Sequence, residues 1–369
     1  MYKRQGMDKY KQPEIWKFTA PMDLMRTIAL STAAAVIFPV GRRSTRGEKD
    51  MVISVLLFIV GLVCLIKGGD WFVDGATGIA RKFHLPELLI GATVVSIGTT
   101  LPEVMVSTTS ALTGHSEIAY GNAIGSVICN TALIAAITVT VKPGLINRAT
   151  LRTPVMFFFT AAVLYAGVAY FSGYFSRGIG LVLLCIFVIY MITTVRQMKN
   201  HPSEDCGEEE NEKSFGMNIF LLVIGAALIA VGANLLVENG TLIAKALGVP
   251  ESVIALTFVA LGTSLPELVT AITSLVKGHG ALSLGNVIGA NLFNLVLVSG
   301  VSVSLAPFSV PQSAVLFGHN ASLVLDIPVM FAVMLLLTVP PLIRGRLSRI
   351  QGILLLMIYM VFCGVQFTL

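Results

Sequence analysis

The sequence predicts an all-α polytopic membrane protein with ten transmembrane helices arranged as two inverted five-helix repeats. Three observations carry that fold class. The 369 residues are 55% hydrophobic and 12% charged, with a mean hydropathy of +0.84, a balance that places the chain among membrane proteins. Apolar segments long enough to cross a bilayer recur ten times. A shift of 164 residues lays the chain on itself without a gap from about 61 to 136.

The ten spans fall near 52–67, 88–112, 118–141, 153–172, 177–195, 217–237, 252–276, 281–306, 321–343 and 349–368. Several contain Gly, Pro, Ser or Thr, which membrane helices tolerate where neighbours or a cavity satisfy the freed backbone groups. Twelve lysines and arginines follow odd-numbered spans and two follow even-numbered ones. The positive-inside rule therefore puts the odd loops in the cytoplasm, together with the acidic linker at 200–215, and puts the C-terminus outside. The net charge of +5 is a topology signal of this kind, and no nucleic-acid partner is expected. Four of the five cysteines lie inside spans and only Cys206 lies in a loop, so neither a disulfide framework nor a CxxC pair is present.

Residues 1–50 break the pattern, because their ten lysines and arginines would sit on the outer side. They read as an N-terminal extension without functional content, although Ile28 to Pro39 could form a weak signal-like or additional membrane segment. The expected organisation is then a first repeat at 51–199, the linker at 200–215, and a second repeat at 216–369.

The repeat aligns Pro86-Glu87 with Pro250-Glu251, "IGTTLPE" (97–103) with "LGTSLPE" (261–267), and "GNAIGSVICN" from Gly121 with "GNVIGANLFN" from Gly285. With ten residues inserted, "TPVMF" from Thr153 meets "IPVMF" from Ile327. Each copy holds five spans, an odd number, so the second copy threads the membrane in the opposite sense. A site on the axis relating such copies is reachable from either face by equivalent movements, which suits alternating access.

Each "LPE" ends in a carboxylate, Glu103 and Glu267, inside an apolar span that has no lysine or arginine. An ionised carboxylate at mid-bilayer costs roughly 2.5 to 3.5 kcal/mol on insertion scales, so each must be protonated, open to water or neutralised by a cation. Pro102 and Pro266 lack the N–H that would bind the carbonyls of Gly98 and Gly262. Thr99, Thr100, Thr263 and Ser264 add hydroxyl oxygens in the same turn. Ser126 and Asn130 share a helical face, and Asn294 matches Asn130 in the second copy. Hard oxygens thus gather around each glutamate and can supply the roughly six to eight ligands that calcium accepts, without the soft donors a transition metal prefers. No HExxH, no GxGD-like pair and no nucleophile with a base is present, which argues against an intramembrane enzyme.

The paired "GT[TS]LPE" motifs, each followed by "GNxIG" in an inverted repeat, resemble the sodium/calcium exchangers of the calcium/cation antiporter superfamily, of prokaryotic type. The resemblance covers nearly all of 51–369. It implies no cofactor, with calcium and sodium as transported ions and the bilayer as surroundings. It implies Glu103 and Glu267 as central calcium ligands, with the backbone carbonyls of Thr99 and Thr263 beside them. The hydroxyls of Thr100, Ser264 and Ser126 would serve sodium, Asn130 and Asn294 would line the centre, and the carbonyls of Ser96 and Ala260 would flank it. The family often has serine then asparagine after "GN..G"; here the copies read Ser126-Val127 and Ala290-Asn291, so one hydroxyl is missing. Asparagine at both 130 and 294 argues against potassium co-transport. The family also implies that the long first and sixth spans slide as a unit, with Gly61, Gly68, Gly69, Gly225 and Gly232 either smoothing that motion or serving ordinary close packing.

Other polar residues have plainer readings. Asp70 and Asp74, matched by Asn234 and Glu238, are expected as solvated helix ends, with ion entry as the second reading. Asp326, matched by Arg152, is expected as an interfacial or paired charge, and His115 and His279 as turn residues. A calcium/proton antiporter using the same glutamates is the alternative function, and a passive channel would carry calcium without a counter-ion. The expected setting is a prokaryotic cytoplasmic membrane, and the expected unit a monomer.

Overall fold

The computed structural model describes residues 45–200, 214–247, 262–312 and 314–367. Among them, nine helices are long and apolar enough to cross a membrane and a tenth is shorter. In chain order they are α1 (Met51–Lys82), α2 (Glu87–Leu112), α3 (Ser116–Val141), α4 (Arg148–Phe171), α5 (Arg177–Met198), α6 (Phe215–Ala246), α7 (Leu265–Val276), α8 (Gly280–Leu305), α9 (Ser322–Arg344) and α10 (Arg349–Gln366). Each answers one span read from the sequence. The short α7 is the described part of the seventh, since 248–261 lie outside the described residues.

Burial separates these helices by role. The best-covered windows are 83% buried in α8 and 72% buried in α3, against 22% in α1 and 17% in α10. The helices carrying "GNxIG" therefore form the centre of the bundle, and their polar residues face protein rather than lipid, as the cost of polar groups in hydrocarbon demands.

The two copies match in backbone detail. Gly114 and Gly278 turn the chain with φ of +85° and +90°, values glycine adopts without strain. His115 and His279 then cap α3 and α8 at φ/ψ of −96°/56° and −88°/55°, as expected of turn residues. A single wide π-turn begins at Asn130 in α3 and again at Asn294 in α8. Such turns insert one extra residue and recur at functional sites.

α1 and α6 cross at glycines. A Cβ on Gly61 would lie 2.9 Å from the Gly232 carbonyl oxygen, and one on Gly68 would lie 2.9 Å from that of Gly225. The pairing runs upward in one helix and downward in the other, so these matched helices are antiparallel. It also revises the sliding-surface expectation: four of the five glycines bind α1 to α6 instead of facing the centre. Only Gly69 looks inward, where an added Cβ would meet Val269 and the Thr273 hydroxyl. Small residues draw two backbones together because a Cβ would hold them apart.

Short pairings tie the copies at their loops. β1 (Tyr174–Phe175) pairs antiparallel with β2 (Phe308–Ser309), and Leu145 bridges to Arg346. A small hairpin joins β3 (Val315–Leu316) to β4 (His319–Asn320).

Candidate functional site

α2 and α7 bring the two "LPE" segments together in the centre. Glu103 and Glu267 are both 0% exposed. They point into protein, not toward acyl chains. Thr100, Ser264, Asn130 and Asn294 are buried with them. The side-chain oxygens and nitrogens of these six residues find no hydrogen-bond partner in the described protein. Buried polar atoms are ordinarily paired, because an unmet donor or acceptor costs about 1–3 kcal/mol. A concentration of unmet oxygens at the positions the paired motif singles out is what a chamber for a dehydrated cation requires.

The surrounding hydroxyls and amides behave differently. Thr99 donates through Oγ1 to Asn286 Oδ1 at 3.2 Å, and Thr263 donates to Asn122 Oδ1 at 3.1 Å. The first contact runs from copy one to copy two and the second runs back between the equivalent residues, the self-complementary pattern that a two-fold relation produces. Ser96 donates to the Gly91 carbonyl at 2.8 Å and to the Asn286 carbonyl at 3.0 Å. Asn122 also donates to Ser107 Oγ at 2.8 Å and approaches the Glu103 carbonyl at 3.5 Å. The Thr99 hydroxyl is thus engaged by Asn286 and also reaches the Ser96 carbonyl at 3.4 Å.

Asn122 and Asn286 were not singled out from the sequence, although each is the asparagine of a "GNxIG" motif. Their position in both copies was the available signal. Their role depends on contacts made across the copies, which no local pattern displays.

The two prolines differ in effect. Pro102 lies inside a continuous helix, as expected, and the carbonyl of Gly98 lacks its usual donor. Pro266 instead sits in the first turn of α7, where its missing N–H costs nothing, and the Gly262 carbonyl accepts from the Leu265 N–H at 3.4 Å. Only the first of the two expected freed carbonyls is therefore of the expected kind. Ala260 and its carbonyl lie outside the described residues. Ser126 is buried to 4% exposure and lines a cavity that reaches Thr263. Its counterpart Ala290 is fully buried, and the neighbouring Asn291 donates to Thr131 Oγ1 at 2.6 Å.

The expectation of solvated ends for Asp70 and Asp74 is revised. Lys277, just past α7, lies 2.7 Å from Asp74 and 3.5 Å from Asp70, and donates to the Asp70 carbonyl at 2.9 Å. Beside it, His279 Nδ1 sits 2.7 Å from Glu87. Half-exposed charges on neighbouring helix ends pair where the geometry allows, at modest gain. Asn234 and Glu238, their counterparts, are exposed. Asp326 accepts from the neutral amide of Gln366 at 2.7 Å, so of the two expected readings, interfacial or paired charge, the charge pair is the one not formed among the described residues.

Among the described residues there is no group of three or more His, Cys, Asp and Glu. A cation at the centre would therefore be met by mixed hard oxygens, two carboxylates with hydroxyl, amide and carbonyl groups, a donor set suited to alkali and alkaline-earth ions. Ten membrane helices closing on such a chamber define an integral membrane ion transporter. The chain belongs to the sodium/calcium exchanger protein family, whose profile matches residues 53–196 and 217–368. It is 35% identical to the inner membrane protein YrbG of Escherichia coli, over 77% of this chain and 89% of that protein. It is 31% identical to the sodium/calcium exchanger MaX1 of Methanosarcina acetivorans, over 86% of this chain and 99% of the relative. Its fold matches the sodium-calcium exchanger NCX_Mj, from a crystal soaked in sodium and strontium, with a TM-score of 0.71 and 34% identity, over 84% of this chain and 98% of the other.

Proposed function

We propose that this antiporter exchanges calcium for sodium, with Glu103 and Glu267 as the shared ligands of both ions. The observation that carries this reading is the cluster of unmet buried oxygens on Glu103, Glu267, Thr100, Ser264, Asn130 and Asn294. Two carboxylates balance one calcium or two sodium ions, so the same oxygens can serve either cargo but not both together. The carbonyls of Thr99 and Thr263 complete the calcium shell, Thr100, Ser264 and Ser126 serve sodium, and the carbonyls of Ser96 and Ala260 flank them. The similarity to MaX1 and NCX_Mj, both sodium/calcium exchangers, supports the choice of ions.

Alternating access follows from the inverted-repeat reading, 51–199 against 216–369. That reading is supported by the antiparallel α1 and α6 and by the reciprocal Thr99–Asn286 and Thr263–Asn122 contacts. α1 and α6, joined through glycines, move as one body across α2 and α7. The linker 200–215 lies on the cytoplasmic side of a prokaryotic inner membrane and the C-terminus on the other; residues 1–50 take no part, and one chain suffices. Asparagine at 130 and 294 favours exchange without potassium.

The test is calcium uptake into proteoliposomes under an imposed sodium gradient with the pH clamped. Uptake should follow the sodium gradient. Uptake that follows a proton gradient and ignores sodium would establish the calcium/proton alternative, and uptake with neither gradient would establish a channel.

A further inference from the structure

A cavity of about 440 Å³ runs beside the central chamber. Its inner lining includes Ser126, Asn122 and Thr263, all members or supports of the candidate site, and its other end is lined by Ile118, Asp326 and Gln366. Ile118 and Ser126 are eight residues apart on α3, which at 1.5 Å per residue makes the descent roughly 12 Å. The far end lies where α3 and α9 begin and α10 finishes. Those are the helix ends that the distribution of basic residues assigns to the outer face. The cavity thus leads from that face to Asn122, Ser126 and Thr263, which border the candidate site.

Among the described residues, Asp326 is the one carboxylate lining this cavity. Its partner is the neutral Gln366 amide, which donates to Oδ1 at 2.7 Å. No Lys or Arg forms an ion pair with it among the described residues. A helix-to-helix tie between α9 and α10 needs only an acceptor, which an asparagine would provide. A negative charge kept without a positive partner in a passage toward a cation chamber calls for another role. One carboxylate offers too few oxygens to strip a calcium ion of its water, so what it can hold is a hydrated cation, briefly.

We propose that Asp326 is an outer cation station, which takes hydrated calcium or sodium from the outer solution and passes it to Thr263 and Ser126. The Gln366 amide occupies one carboxylate oxygen and orients the other. A low-dielectric passage focuses the field of such a charge and raises the local cation concentration and entry rate. This rests on the reading of Glu103 and Glu267 as the exchange site, and it adds an approach route from one side only.

The test measures half-saturating outer calcium in calcium/calcium self-exchange, which needs no counter-ion, using right-side-out and inside-out vesicles. Asp326→Asn retains an acceptor for Gln366 and removes the charge. The expected result is a rise of about tenfold in the outer half-saturating concentration, with the inner value and the saturating rate unchanged. Inert salt should weaken outer affinity in the wild type and much less in the variant. Gln366→Ala, which keeps the charge and loses the tie, should change outer affinity less than Asp326→Asn. Unchanged outer half-saturation in Asp326→Asn overturns the station, as does an equal change on both sides or a larger effect from Gln366→Ala. Absence of sodium-driven uptake would instead overturn the proposed counter-ion and leave the self-exchange result standing.

Discussion

Thr99 donates its hydroxyl to Asn286 at 3.2 Å, and the equivalent pair, Thr263 and Asn122, repeats the contact at 3.1 Å. Each copy of the motif is held in place by an asparagine of the other.

Asn286→Ala removes the side-chain acceptor for Thr99, which is left with the Ser96 carbonyl at 3.4 Å. A loss of about 0.5–1.5 kcal/mol in stability is expected, read as a lower unfolding temperature in detergent, together with weaker calcium affinity. Asn122→Ala should act in the same direction. Unaltered calcium affinity in both variants would restrict these asparagines to packing.

Glu103→Gln and Glu267→Gln are expected to abolish exchange while leaving a folded protein. The clearest readout is calcium protection against thermal unfolding. A ligand at a hundredfold its Kd stabilises by about 2.7 kcal/mol, and both variants should lose that increment. Calcium transport retained in either variant would remove that residue from the centre.

Ala290→Ser restores a hydroxyl where the first copy has Ser126. Ala290 is fully buried on α8, and one added oxygen changes its volume little. Sodium half-saturation should shift severalfold more than calcium half-saturation, measured in the same vesicles. Equal shifts would argue against a sodium role for this position.

Gly232→Ala would place a Cβ 2.7 Å from the Gly61 carbonyl oxygen and 2.8 Å from the Leu65 nitrogen. Backbone atoms cannot rotate away, so a destabilisation of about 1–3 kcal/mol is expected. Gly167→Ala in α4, with nothing within 4 Å of the added carbon, should be neutral or stabilising by about 0.5–1 kcal/mol. Equal unfolding temperatures for the two variants would contradict the close α1–α6 crossing.

Lys277→Gln removes the ionic link to Asp70 and Asp74. The partners are 26–39% exposed, so the stability loss should stay below about 1 kcal/mol. The link joins α1 to the end of α7, so its loss should change the ratio of inner to outer half-saturating calcium if α1 and α6 move across the centre. An unchanged ratio would mark it as a surface pair.

Much of the fold was legible because lipid permits few solutions. Apolar runs of spanning length must become helices, and ten such runs in two matching sets left little choice of architecture. The glutamates were legible for the same reason, since an uncompensated acid in hydrocarbon demands an explanation. The glycines left two readings open, sliding or close packing, because a small residue shows that a surface is close to something without showing what. The partners of Asp70, Asp74 and Asp326, namely Lys277 and Gln366, were not legible because they are remote in sequence.

The sequence by itself determined the membrane class, the duplication, and that each copy carries a buried carboxylate, Glu103 or Glu267, because burial cost and helical period act within one segment. Only the tertiary structure decided which copy supports which: that Asn286 holds Thr99, that α1 and α6 join through their glycines, and that a cavity reaches Ser126 past Asp326. These depend on how segments about 164 residues apart meet. Close packing between distant segments is set by shape, and the shape exists only once all the helices are in place.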